Sequence, residues 1–235
     1  MNPSIEARWF FESTADQVLI LEGWFATFGE WQANESAQRP HAPPMAFKKV
    51  NKAKGNGELR TDYYLKTDGY SKLSFKIREG RTEVKVLDTD FGVVNFNGQC
   101  AGRIEKWIKW SPKLRMEGWG ISDVFSEPGN FQAISKQRLM IKYIVDSDSN
   151  LVRVNPEVTD LSNGCQVELT LLEYDGRTLY TLAFESLGDE INLFDSFGKI
   201  CDLTFHENPT LRLDAESSYS YPTLLSKQRT HTRAF

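Results

Sequence analysis

The chain is poor in the residues that most often carry catalysis. Among its 235 residues there are three histidines, His41, His206 and His231, and all fall in segments that read as loop or tail. A histidine-centred triad or a zinc site is therefore not expected. The three cysteines, Cys100, Cys165 and Cys201, are odd in number, widely spaced and without a CxxC. That excludes a disulfide framework and fits a reducing compartment, so a cytoplasmic location is expected. No GxxxxGK[ST], GxGxxG, HExxH or GxSxG occurs, which removes the common nucleotide, zincin and serine-hydrolase signatures. The opening residues lack a basic stretch followed by an apolar one, so no signal peptide is expected. The apolar stretch "QVLILEGWFATFGEW" contains Glu22, Glu30 and two glycines and is too short and polar to span a bilayer. The net charge of −4 offers no global grip on nucleic acid.

What remains is ordinary globular composition: 40% hydrophobic and 26% charged residues in a chain long enough for a sizeable core. Alternation is the dominant pattern. "SIEARWFF" (4–11) puts Ile5, Ala7 and Trp9 on one face and Glu6 and Arg8 on the other. Thr14 with Gln17 then makes a capping-box signal, and Val18, Leu21, Trp24, Phe25 and Phe28 follow at helical spacing. Residues 33–58 are rich in Pro, Asn, Lys and Gly and read as a long loop. "LRTDYYLKT" (59–67) reads as a strand. "KLSFKIREGRTEVKVL" (72–87) reads as a hairpin turning at "EGRT", with Lys76, Arg78, Glu83 and Lys85 on one face.

"GRIEKWIKWSP" (102–112) fits a strand or a helix; as a strand it places Arg103, Glu105 and Lys109 together. "KLRMEGWGISDVFSEPGN" is irregular. "FQAISKQRLMIKYIVDSDSNLVRV" (131–154) reads as a second hairpin, with Lys136, Arg138 and Lys142 on one face. "CQVELTLLEYDGRTLYTLAFES" (165–186) is a third, turning at Asp175-Gly176. "INLFDSFGKICDLTF" suits a closing helix, and residues from 206 onward read as a polar tail, free or ordered by docking, giving a domain over 1–205 and a tail over 206–235. "DSDSNLVRVNPE" imitates a calcium loop, but Leu151 stands where glycine is needed, so a hairpin tip is the better reading.

Seven or eight strands in antiparallel hairpins favour a closed or strongly curved sheet, because closure removes edges. One cationic strand face is usually solvated. Here cations recur at alternate positions on strand after strand: Arg8, Lys76, Arg78, Lys85, Lys136 and Arg138, with Glu6, Glu83, Glu168 and Glu185 on strands of the same kind. If those faces converge inside a barrel, the lumen must hold water, ions or an anion, since unpaired charge cannot be packed dry. If the sheet is open, they meet bulk water. The pattern alone leaves both alternatives standing.

The same stretches resemble the CYTH superfamily, the triphosphate tunnel metalloenzymes. "SIEARWFF" is similar to the family's opening E-x-E-x-K strand. "LSFKIREGRTEVKVL" is similar to its L-R-x-R hairpin with a lysine on the return arm. "ISKQRLMIKY" resembles the later K-x-R strand, and the 165–186 hairpin resembles the closing acidic one, which usually ends E-x-E. The resemblance covers most of residues 4–200. It implies an α+β, mainly antiparallel β fold: an eight-stranded tunnel-like barrel with flanking helices. It implies phosphate contacts from Arg8, Lys76, Arg78, Lys85, Lys136 and Arg138. It implies catalytic and metal-holding roles for Glu6, Glu168 and Glu185, with Mg²⁺ or Mn²⁺ as cofactor. Two expected glutamates are Ser4 and Ala183 instead, so the phosphate half of the pattern is fuller than the metal half.

Three functions follow as expectations. The first is a metal-dependent triphosphatase acting on tripolyphosphate or an organic triphosphate. The second is a non-catalytic phosphate- or nucleotide-binding module on the same scaffold. The third is a protein-interaction module using the tail or the 33–58 loop. A small anionic phosphate ligand is the expected partner, with neither specific nucleic acid nor membrane.

Overall fold

The period-two alternation becomes nine antiparallel strands in a computed structural model that describes residues 2–12, 15–29, 59–67, 69–78, 81–112, 130–155, 158, 161 and 163–227. They are β1 (Asn2–Glu12), β2 (Leu59–Leu65), β3 (Leu73–Arg78), β4 (Arg81–Asn95), β5 (Ala101–Trp110), β6 (Phe131–Val145), β7 (Leu151–Val154), β8 (Gly164–Tyr174) and β9 (Arg177–Leu187). Three helices accompany them: α1 (Asp16–Gly29), α2 (Leu193–Glu207) and α3 (Tyr221–Lys227). The expected loop over 33–58, the irregular stretch over 113–129, Thr14 and the turn residue Gly80 lie outside the described residues. Among the described residues no helix is long and apolar enough to cross a membrane.

Neighbouring strands run β2-β3-β4-β5-β1-β9-β8-β6, and β6 returns to β2, with Leu59–Leu65 opposite Phe131–Gln137. Eight strands thus close into a barrel, and β7 attaches to the far half of β6. The 102–112 segment, which the pattern left between helix and strand, is strand β5 because both its flanks find partners, β4 and β1. The third hairpin turns where its Asp-Gly dipeptide stands: Asp175 has φ 51° and Gly176 φ 72°, the left-handed pair that a tight hairpin needs. In the opening hairpin Phe75 opposes Val84 and Lys76 opposes Glu83, so the charged face is shared as expected.

Closure sorts the two faces. On one flank Ile5, Ala7, Trp9 and Phe11 of β1 point outward with Val167 and Leu169 of β8 and Leu182 and Phe184 of β9. They are covered by α1 through Leu21 and Phe25 and by α2 through Leu193, Phe197 and Ile200. Each fully buried large side chain there contributes about 1.5–3 kcal/mol. The main core therefore lies outside the barrel wall, and the charged positions are turned inward. The segment after α2 is ordered by docking. Leu211 and Leu213 enter the main core, and α3 seats Leu224 in a second cluster with Phe10, Tyr64, Ile134, Leu172, Tyr174 and Leu179. That cluster consists of the inward residues at one end of the strands, so α3 caps that end with apolar contacts. The expected division at 205/206 falls inside α2. All three cysteines are free and buried.

Candidate functional site

The barrel interior encloses a cavity of about 150 Å³. The six cations and four glutamates that recur along the strands all line it: Glu6 and Arg8 from β1, Lys76 and Arg78 from β3, Glu83 and Lys85 from β4, Lys136 and Arg138 from β6, Glu168 from β8 and Glu185 from β9. Lys142, on the same face of β6, does not; its ammonium donates to the Val158 carbonyl at 2.6 Å. The lining also includes Arg60 and Tyr64 of β2, Arg103, Glu105, Trp107 and Lys109 of β5, Gln166 of β8, and residues 219–222 leading into α3. Of these, Arg60 and Tyr64 could have been found from the alternation in "LRTDYYL". The approach of Tyr221 could not, because it depends on where the chain end docks.

Nine cations and five carboxylates line the cavity, and Asp62 and Asp90 beside it pair with three of those cations. The carboxylates are drawn into separate nests. In the first, β1 sets Glu6 directly beside Glu185 of β9 and Glu105 of β5. Lys85 reaches from β4 across β5 and donates to Glu6 and, at 3.2 Å, to Glu185. Gln166 donates to the other Glu185 oxygen at 2.5 Å, and the Ser4 hydroxyl to Glu6 at 3.4 Å. Burial alone would depress the Lys85 ammonium's pKa, but Glu185 and Glu6 outweigh it and raise it.

The second nest is built around Glu168. One of its oxygens accepts from Arg8 at 3.2 Å and the other from Arg138 at 3.0 Å, with the Thr170 hydroxyl adding a bond at 2.9 Å. Arg8 stands on β1 and Glu168 on β8, with Ala183 of β9 in register between them. A methyl group there leaves the space over which the guanidinium crosses. Burial would raise the Glu168 pKa, but Arg138 and Arg8 hold it well below the ordinary carboxylate range.

Asp62 forms a third nest. It is fully buried, with Arg60 at 3.3 Å and Lys136 at 3.4 Å. Lys136 also donates to the Tyr64 hydroxyl at 2.7 Å and stands 3.6 Å from the centroid of the Tyr221 ring. Burial lowers its pKa to about 7 despite Asp62, and the nearby Arg60 and Arg8 push the same way. Lys76, paired with Glu83 at 2.7 Å, is lowered by burial to about 8. Arg78 has no ion pair or hydrogen bond among the described residues.

Glu105 forms no ion pair among the described residues. It accepts from the Trp107 indole at 3.1 Å; burial raises its pKa to about 7, the indole opposes this, and Glu6 adds to the rise. The three glutamates expected to hold a metal do not share one point: Glu6 and Glu185 close on Lys85, and Glu168 closes on two arginines. Among the described residues no three acidic, histidine or cysteine side chains come together as a metal cage. As they stand, these residues do not fit a resident divalent ion. No protein-family model matches the chain, and no curated protein sequence matches it significantly.

Proposed function

We propose that the barrel interior binds a triphosphate-containing anion, either inorganic tripolyphosphate or an organic triphosphate. The excess of cations in the lining carries this reading: even with Asp62 and Asp90 counted as partners it persists, and Arg78 has no ion pair among the described residues. Such an excess is costly without a counter-charge, and a polyanion supplies one. Arg78, Arg60 and Arg138 offer planar donor forks suited to phosphate oxygens. The resemblance of the strand motifs to the CYTH superfamily supports the same ligand class. Hydrolysis with Mg²⁺ or Mn²⁺ is not part of the proposal, because Glu6, Glu168 and Glu185 are engaged by internal cations.

Thermal denaturation with tripolyphosphate, ATP, sulfate and acetate tests it. Tripolyphosphate is expected to raise the melting temperature well above the effect of sulfate at equal ionic strength. An unchanged melting temperature with every polyanion would overturn the reading. Phosphate release measured on the same samples with Mg²⁺ and Mn²⁺ separates a binding module from a triphosphatase.

A further inference from the structure

We propose that the cavity takes its polyphosphate as the free anion rather than as a metal complex, with the Lys85 ammonium holding the cation position between Glu6 and Glu185. This rests on the triphosphate reading above. Glu6 and Glu185 are direct cross-strand neighbours on β1 and β9. Like charges so placed repel unless a cation stands between them. A divalent ion is one solution. Here the cation is part of the chain: Lys85 extends over β5 and bridges both carboxylates.

The remaining ligands that a metal would need are also engaged. Gln166 holds the other oxygen of Glu185, Ser4 adds a bond to the Glu6 oxygen that Lys85 already holds, and Glu168 is divided between Arg8 and Arg138. Ala183 and Ser4, where the resemblance to the CYTH superfamily implies two further carboxylates, offer a methyl group and a hydroxyl. A metal ion carried in on the ligand would face the ammonium at short range in a low-dielectric interior, which is repulsive. It would also cancel charge on the anion that Arg78 and the other cations attract. The lining therefore discriminates in favour of the uncomplexed polyphosphate.

Calorimetric titration of the full chain with sodium tripolyphosphate tests this, once in EDTA and once in excess MgCl₂. Binding is expected in EDTA, weakened about tenfold when Mg²⁺ sequesters the free anion. Binding seen only with Mg²⁺ present would overturn the inference while leaving the triphosphate reading intact. Absence of binding in both conditions would overturn the triphosphate reading itself. Mn²⁺ paramagnetic resonance gives an independent readout without any phosphate. The wild-type chain should leave the free Mn²⁺ signal unchanged, and Lys85→Met, which removes the internal cation, should diminish it. Stoichiometric Mn²⁺ uptake by the wild-type chain sinks the proposal whether or not the variant folds.

Discussion

Lys136 donates to the Tyr64 hydroxyl while its ammonium lies 3.6 Å from the centre of the Tyr221 ring, joining the barrel lining to the helix that caps it. This ammonium carries a pH dependence. Its folded pKa is about 7, below the ~10.4 of an exposed lysine, so between those values the unfolded chain holds the extra proton. Its contribution makes the fold more stable as pH rises from about 7 towards 10. Anion affinity runs the other way, because a neutral amine attracts no phosphate. Tripolyphosphate binding should weaken from pH 6.5 to 8.5 and take up protons, with Lys76 adding to the effect at about 8. Calorimetry in two buffers of different ionisation enthalpy measures that uptake, and Lys136→Met should reduce it. Equal uptake in both proteins would count against Lys136 as its source.

Glu168→Gln removes the shared partner of Arg8 and Arg138. Both arginines keep some water, so the loss should lie at about 2–4 kcal/mol, near the lower end for a broken buried pair. Tripolyphosphate should restore more stability to this variant than it adds to the wild type, since it supplies the missing negative charge. Melting curves with and without the ligand check this. Equal increments would place the anion away from these two arginines.

Arg78→Ala separates binding from stability. Without a partner among the described residues, Arg78 contributes little to the fold, and the melting temperature should move by less than about 0.5 kcal/mol equivalent. Losing one charged phosphate contact costs about 1.5–3 kcal/mol, roughly a 10- to 100-fold weaker affinity for tripolyphosphate. A large fall in stability with unchanged affinity would reverse its assigned role.

Gly102→Ala tests the outer core. A Cβ at this position would lie 2.1 Å from Cζ2 of Trp9. Trp9 is fully buried, and its indole donates to the Ala101 carbonyl at 2.8 Å, so the ring has no free direction in which to move. Overpacking of this kind costs about 1–3 kcal/mol, readable as a lower urea midpoint at unchanged slope.

Much of the barrel was readable because strand alternation is local. The odd positions of β1 carry Ile5, Ala7 and Trp9 and the even ones Glu6 and Arg8, and the same division recurs on β3, β6 and β8. The six cations and four glutamates singled out as recurring in that division all line the cavity. What alternation cannot carry is distance across the lumen. Glu6, Glu168 and Glu185 look equivalent along the chain, yet Glu6 and Glu185 lie on adjacent strands and Glu168 lies in the next row beside Ala183. The polar composition after residue 206 suggested a tail and left its docking open; Leu211, Leu213 and Leu224 reach two separate apolar clusters.

By itself the sequence determined which residues share a face, where the third hairpin turns and which ladders could form, because side-chain period and turn chemistry are set within a few residues. Only the tertiary structure decided that the charged faces meet inside, and that Lys85 and the two arginines occupy the carboxylates. Closure of β6 on β2 encloses the lining, and the register across β5, β1, β9 and β8 chooses each charge's neighbour. Which cation a glutamate meets is a property of residues far apart in the chain, fixed when the barrel closes.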